Sequence, residues 1–161
     1  MDSNIVSDCC VHEEYIYLFL GITDKKDNSN SNSNSNSNSN SNSNSKLLIL
    51  RNKHNNFDKN KHQGSWETLE VTSVDSNRAN SIAFKTIADV KVNQKEKHLY
   101  VVDNTLNMIV RYDIESLFGD KLENNLVLLE MLQGEGSVND AIYFDNPCSI
   151  TFDEDYIYIA D

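Results

Sequence analysis

Sixty positions separate two versions of one stretch. Ser81–Asn93 reads SIAFKTIADVKVN and Ala141–Asp153 reads AIYFDNPCSITFD, so Ile82 meets Ile142, Phe84 meets Phe144, Val90 meets Ile150 and Val92 meets Phe152. After a turn that is longer in the first version, His98–Asp103 (HLYVVD) matches Tyr156–Asp161 (YIYIAD). A weaker third copy stands at the start, where Asp8–Phe19 (DCCVHEEYIYLF) follows Ser149–Ala160 (SITFDEDYIYIA). Recurrence on this scale constrains the fold. One unit cannot bury its apolar faces alone, so units stack on one another, as in solenoids and propellers.

Within each copy the pattern is two short runs of alternating apolar residues around a polar turn. In the third copy these are Ile150/Phe152 and Tyr156–Ala160, flanking Asp153-Glu154-Asp155. Period-two alternation with β-branched and aromatic residues predicts antiparallel hairpins. In chain order the predicted strands are Ile5–His12 and Tyr15–Ile22, joined across His12-Glu13-Glu14, then Lys46–Arg51 and Trp66–Val74. The second unit repeats the order with Ile87–Val92, Leu99–Asp103, Met108–Ile114 and Leu126–Leu132. The connector Glu115–Asn125 has room for one helical turn, and Gln133-Gly134-Glu135-Gly136 supplies a bend where glycine admits positive φ.

Inside the first unit lies Asn28–Ser45, a strict Asn/Ser alternation. With no apolar side chain to bury, it cannot offset the entropy lost on ordering, and is expected to be a disordered loop. Removing it brings the spacing of Val11 and Val92 close to that of the later units. The divisions that follow are residues 1–75 with the insertion at 28–45, residues 76–136, and residues 137–161.

Charge narrows the partners. The chain carries 14 Lys and Arg against 25 Asp and Glu, a net charge of −11. A surface that binds phosphates needs clustered cations, so the balance argues against nucleic acid and anionic membrane. The run Lys53–Lys61 is the one basic cluster, and such a run is more often a solvated loop. No apolar stretch approaches the roughly 18 residues of a membrane span. Asp2 and the lack of a basic leader argue against a signal peptide. Three cysteines, Cys9, Cys10 and Cys148, make no disulfide framework, and no Asn-x-Ser/Thr acceptor is present. These features point to a reducing, cytoplasmic setting.

Candidate chemistry is sparse. Asp103 and Asp161 end matching strands, and turn capping explains them better than paired-carboxylate catalysis, because Asp side chains accept N–H groups in turns. Cys9 and Cys10 are expected to point to opposite faces of a strand and lack the spacing of a zinc site. His12 and His98 flank equivalent turns, while His54 and His62 share a polar loop and could at most form a metal pair. Trp66 is expected to pack between neighbouring units. No serine sits in a nucleophile turn. No catalytic residue, metal ligand or cofactor is therefore assigned.

The pattern P-x-x-I-x-F-D-x-D-x-x-Y-I-A-D at Pro147–Asp161 resembles the NHL-repeat β-propeller blade. So does Tyr100–Asp103 followed by Asn107–Asp113, with the Gln133–Gly136 turn resembling a blade junction. The first unit departs from the pattern, with Phe19 and Leu20 where the closing Asp would stand, and Ile87 replaces the usual Pro in the second. The resemblance implies an all-β partial propeller of four-stranded antiparallel blades, about two and a half of them, where closed propellers have about four to eight. It implies a fragment of a longer propeller, and an open arc that self-associates. Its functional implication is a scaffold for a protein or peptide. The alternatives are a metal-dependent lactonase- or lyase-type enzyme, with Asp8, Asp89 and Asp153 as the inner-strand carboxylates, or an RNA-binding propeller.

Overall fold

The computed structural model describes residues 3–13, 15–24, 45–53, 66–72, 74, 82–119, 122, 126–133 and 144–161. The Asn/Ser tract up to Asn44, the loop holding His54 and His62, and the glycines at 134 and 136 lie outside the described residues.

Among the described residues, ten strands form three antiparallel sheets, of four, four and two strands, an all-β arrangement as the alternation predicts. The first sheet contains β1 (Ser3–His12), β2 (Tyr15–Asp24), β3 (Ser45–Lys53) and β4 (Glu67–Val71), side by side in that order. The second contains β5 (Ile87–Asn93), β6 (His98–Asp103), β7 (Met108–Asp113) and β8 (Val127–Gln133), again in sequence order. The third is the hairpin of β9 (Ser149–Phe152) and β10 (Ile157–Ala160). One 3₁₀ turn, Glu115–Phe118, occupies the connector in which a helical turn was expected.

Two expectations shift at their boundaries. Ser45 is not loop: it opens β3, is buried, and its Oγ lies 2.7 Å from Thr23 Oγ1 while donating to the Lys85 carbonyl. The strand expected over Trp66–Val74 contracts to Glu67–Val71, and Trp66 is 40% exposed, not packed between units.

The side-chain period of two builds the core. Along β2, Tyr17, Phe19, Gly21 and Thr23 are buried while Ile16, Leu18, Leu20 and Ile22 are half-buried. The buried set, with Leu47 and Ile49 of β3, meets Val90, Leu99, Val101, Val110 and Tyr112 of the second sheet in the larger core. The opposite face of the second sheet, through Tyr100, Val102 and Ile109, meets Phe144 and Ile150 in a smaller one. Phe152, expected to point inward with Val92, is half-buried against this cluster, its ring 5.6 Å from that of Tyr100. The first strands carry the stacking: β1 and β2 lie against β5, and β5 and β6 lie against β9.

Gly21 marks the tightest approach. A Cβ there would fall onto Ile87 and lie 2.9 Å from Val6 Cγ2 and 3.0 Å from Val90 Cγ2. Only a bare α-carbon lets β2 and β5 come this close. Among the described residues, four other than glycine hold positive φ, and three of them serve hairpin turns: Glu13 after β1, Lys97 before β6 and Asn107 before β7.

Candidate functional site

The inner-strand carboxylates come first, because the enzyme reading depends on them. Asp8 Oδ1 accepts the N–H of Cys9 at 2.9 Å, and its Oδ2 accepts the N–H of Val92 in β5 at 2.8 Å. Asp89 does the same one unit later. Its Oδ1 accepts Val90 N–H at 2.9 Å, and its Oδ2 accepts Ile150 N–H of β9 at 3.0 Å and the Ser149 hydroxyl at 2.8 Å. A bulge between Ile87 and Asp89 turns the latter toward β9. Each aspartate thus clasps the first strand of the next sheet.

Asp153 is engaged differently. Its Oδ1 accepts the N–H groups of Asp155 and Tyr156, and its Oδ2 accepts the Tyr158 hydroxyl at 2.7 Å. The Tyr158 hydroxyl, then the backbone donors, hold the Asp153 carboxyl below its ordinary range. The structure does not bring Asp8, Asp89 and Asp153 together as a ligand set, and among the described residues no group of three His, Cys, Asp or Glu could hold a metal ion.

Asp103 caps the turn after its strand, as its position predicted, whereas Asp161 caps the segment ahead of its hairpin. Asp103 is fully buried and accepts N–H groups from Lys85, Thr86, Thr105 and Leu106. Burial pushes its carboxyl above the ordinary value, and the four backbone donors pull it back. Asp161 accepts the N–H of Asp145 at 2.8 and 3.0 Å. Asp145 is the residue sixty positions after Lys85, so the two caps are the same device used twice.

The remaining candidates separate by face. Cys9 is exposed and Cys10 buried, as alternation requires, and burial raises the Cys10 thiol to about 11. Cys148 is exposed. His12 stacks on Phe118 with centroids 4.1 Å apart, and His98 Nδ1 lies 3.2 Å from Glu96 Oε2. They flank equivalent turns of separate sheets and do not converge.

Arg51 is a buried charge that alternation alone did not single out. It is 1% exposed, and its Nη2 donates to Glu67 Oε2 across the β3–β4 pair at 2.6 Å. Its Nη1 donates to the Gly119 carbonyl at 2.5 Å, and its guanidinium lies over the Tyr15 ring at 4.7 Å. Tyr17 adds a hydrogen bond to the Leu117 carbonyl at 3.2 Å. Together they fasten the 3₁₀ turn of the second unit to the first sheet. The sequence signal was the basic end of an apolar run, KLLILR, opposite an acid in the next strand.

Two surface features remain. A pocket of about 350 Å³ lies where β2, β3 and β4 end, lined by Asp24, Ser45, Lys46, Glu70, Thr72 and Phe84. Its charges are matched within it, since Lys46 Nζ stands 3.0 Å from Glu70 Oε2. The second feature is the outward face of the first sheet. Ile16, Leu18, Leu20 and Ile22 of β2 and Leu48 and Leu50 of β3 alternate with the core residues and belong to neither core cluster. Ile5 and Val11 of β1 extend the face and are 61% and 49% exposed. None of the other described strands lies on it.

In comparisons with known proteins, no family model matches the chain, and no curated protein or solved structure matches it.

Proposed function

We propose that the chain is a protein-binding scaffold built of NHL-like propeller blades, and that it binds through the outward face of its first sheet. Three features support the blade reading. Each four-stranded sheet is a meander with its first strand against the first strand of the next sheet, each such strand carries an aspartate that clasps its neighbour, and the unit recurs in sequence. The observation that carries the binding reading is the uncovered row Ile16, Leu18, Leu20, Ile22, Leu48 and Leu50. An apolar surface suits a protein partner. The net charge of −11 disfavours RNA, and a lactonase- or lyase-type metal centre has less support because both oxygens of Asp8 and of Asp89 already accept backbone N–H groups.

The test is the double variant Leu18→Lys/Leu50→Lys, two residues paired across β2 and β3 on that face. Surface changes away from packed contacts cost within about 0.5 kcal/mol. At protein concentrations low enough that copies of the chain stay apart, the variant is expected to keep the parent circular dichroism and melt within about 2 °C of it, while losing the binding of an apolar fluorescent dye. A fall of about 8 °C or more would show that the face is packed inside the molecule, and would overturn the reading.

A further inference from the structure

The uncovered face of the first sheet has an equivalent inside the chain. Shifting β1 by eighty-one positions places Cys9 and Val11 on Val90 and Val92, and hairpin alignment places Ile16 and Leu18 on Leu99 and Val101. The strand pairs Leu18↔Leu50 and Val101↔Val110 carry the match to β3 and β7. Val90, Val92, Leu99, Val101 and Val110 are the residues with which the second sheet receives the first. The uncovered face is therefore a receiving face with nothing on it among the described residues.

The complementary, inserting face is also left open once. In the first sheet it is formed by Asp8, Tyr17 and Phe19, and in the second by Asp89, Tyr100 and Val102. In the hairpin the equivalent positions are Ser149, Tyr158 and Ala160; Tyr158 and Ala160 are exposed, Ser149 gives its hydroxyl to Asp89, and β10 pairs only with β9 among the described strands. One molecule thus presents the two halves of an interface that it already uses twice internally.

We propose that a second copy of this chain occupies both faces, head to tail, with the hairpin of one copy on the first sheet of the other. This rests on the blade reading above and names the partner of that same surface. Two copies are the smallest assembly that covers both faces among the described residues. The internal contacts bound the register. Asp8 meets Val92 and Asp89 meets Ile150, two positions apart in the repeat, so β9 lies against the partner copy's β1 around Cys9 and Val11. Acidic repulsion between copies opposes the contact, and salt screens it.

Light scattering on a sizing column is expected to give twice the chain mass, with the dimer fraction rising with protein concentration and with salt. In a Cys148→Ser background, Ala160→Cys is expected to form an intermolecular disulfide with Cys9 on mild oxidation, because its equivalents Phe19 and Val102 cluster with Val90 and Ile150, the equivalents of Cys9; the bond is mapped by peptide mass and abolished by Cys9→Ser. Leu18→Lys/Leu50→Lys is expected to run as a monomer with its melting temperature unchanged apart from the lost association. A wild type that stays monomeric, or a dimer cross-linked only through Cys9 to Cys9, overturns the head-to-tail pair. If that monomer also tolerates the Lys pair, the face is open and a different protein is its occupant, so the scaffold reading survives. If the Lys pair melts the monomer early, the scaffold reading falls as well.

Discussion

At the scale of single residues, the carboxylates divide by what they hold. Asp89 accepts two backbone N–H groups and a hydroxyl at the junction of two sheets, whereas Asp153 serves an exposed turn. Leaving a buried donor without its acceptor costs about 1–3 kcal/mol. Asp89→Ala is therefore expected to lower the melting temperature by several degrees, and Asp153→Ala to leave it nearly unchanged, in thermal unfolding followed by circular dichroism. The thiols divide in the same way. Thiol-reactive dye at mildly alkaline pH should label Cys9 and Cys148 promptly and Cys10 only after denaturation. The sign of the pH effect follows from the raised Cys10 value: the unfolded thiol ionises near 9.0 while the folded one waits until about 11. Its stabilising contribution is complete below 9.0 and is lost as pH rises toward 11, so Cys10→Ala should show a shallower alkaline decline than the parent. The opposed faces of Cys9 and Cys10 were legible in the sequence because alternation on a strand is local. The clasps of Asp8 and Asp89 were not, because the N–H groups they accept lie 84 and 61 positions away and are identified only by how sheets stack.

At the scale of elements, β2 was readable because the first sheet buries one face more deeply than the other, which stamps a period of two on the sequence, whereas β6, buried on both faces, shows only an apolar, β-branched run. β2 shows it residue by residue, and the exact pairing of β1 with β2 follows from the short turn after His12. Trp66 was misread for the converse reason. A large aromatic beside an alternating run carries no mark of whether a neighbouring sheet extends far enough to cover it. Gly21 was silent in the sequence, since a glycine late in a strand has no period to betray its role. Its requirement is steric, set by Val6, Ile87 and Val90. Overpacking a close-fitted interior costs about 1–3 kcal/mol. Gly21→Ala is expected to lower stability by that amount in urea unfolding, with the slope unchanged. The same substitution at Gly119, where the nearest atom to a Cβ is 3.7 Å away, should be almost neutral.

At the scale of the whole molecule, stability is graded along the chain. The second sheet is packed on both faces, and Val101, Val102, Met108 and Val110 are wholly buried. The hairpin is packed on one, with Tyr156, Ile157 and Tyr158 exposed. Amide exchange is expected to be slowest in β6 and β7 and faster by orders of magnitude in β10, because local opening there breaks few buried contacts. Equal protection throughout would mean that the three sheets open as one unit.

The pairing of every strand with its neighbour in sequence has a consequence in time. During synthesis the first sheet can be completed once Val71 has emerged, with no need of anything downstream. Its inner face, with Tyr17, Phe19, Leu47 and Ile49, must then wait for β5 to β8, the last of which ends at Gln133. At about 5–20 residues per second that wait lasts several seconds. A nascent chain would hold two bare apolar faces through that interval, and its yield should depend on how quickly the ribosome moves through the second sheet.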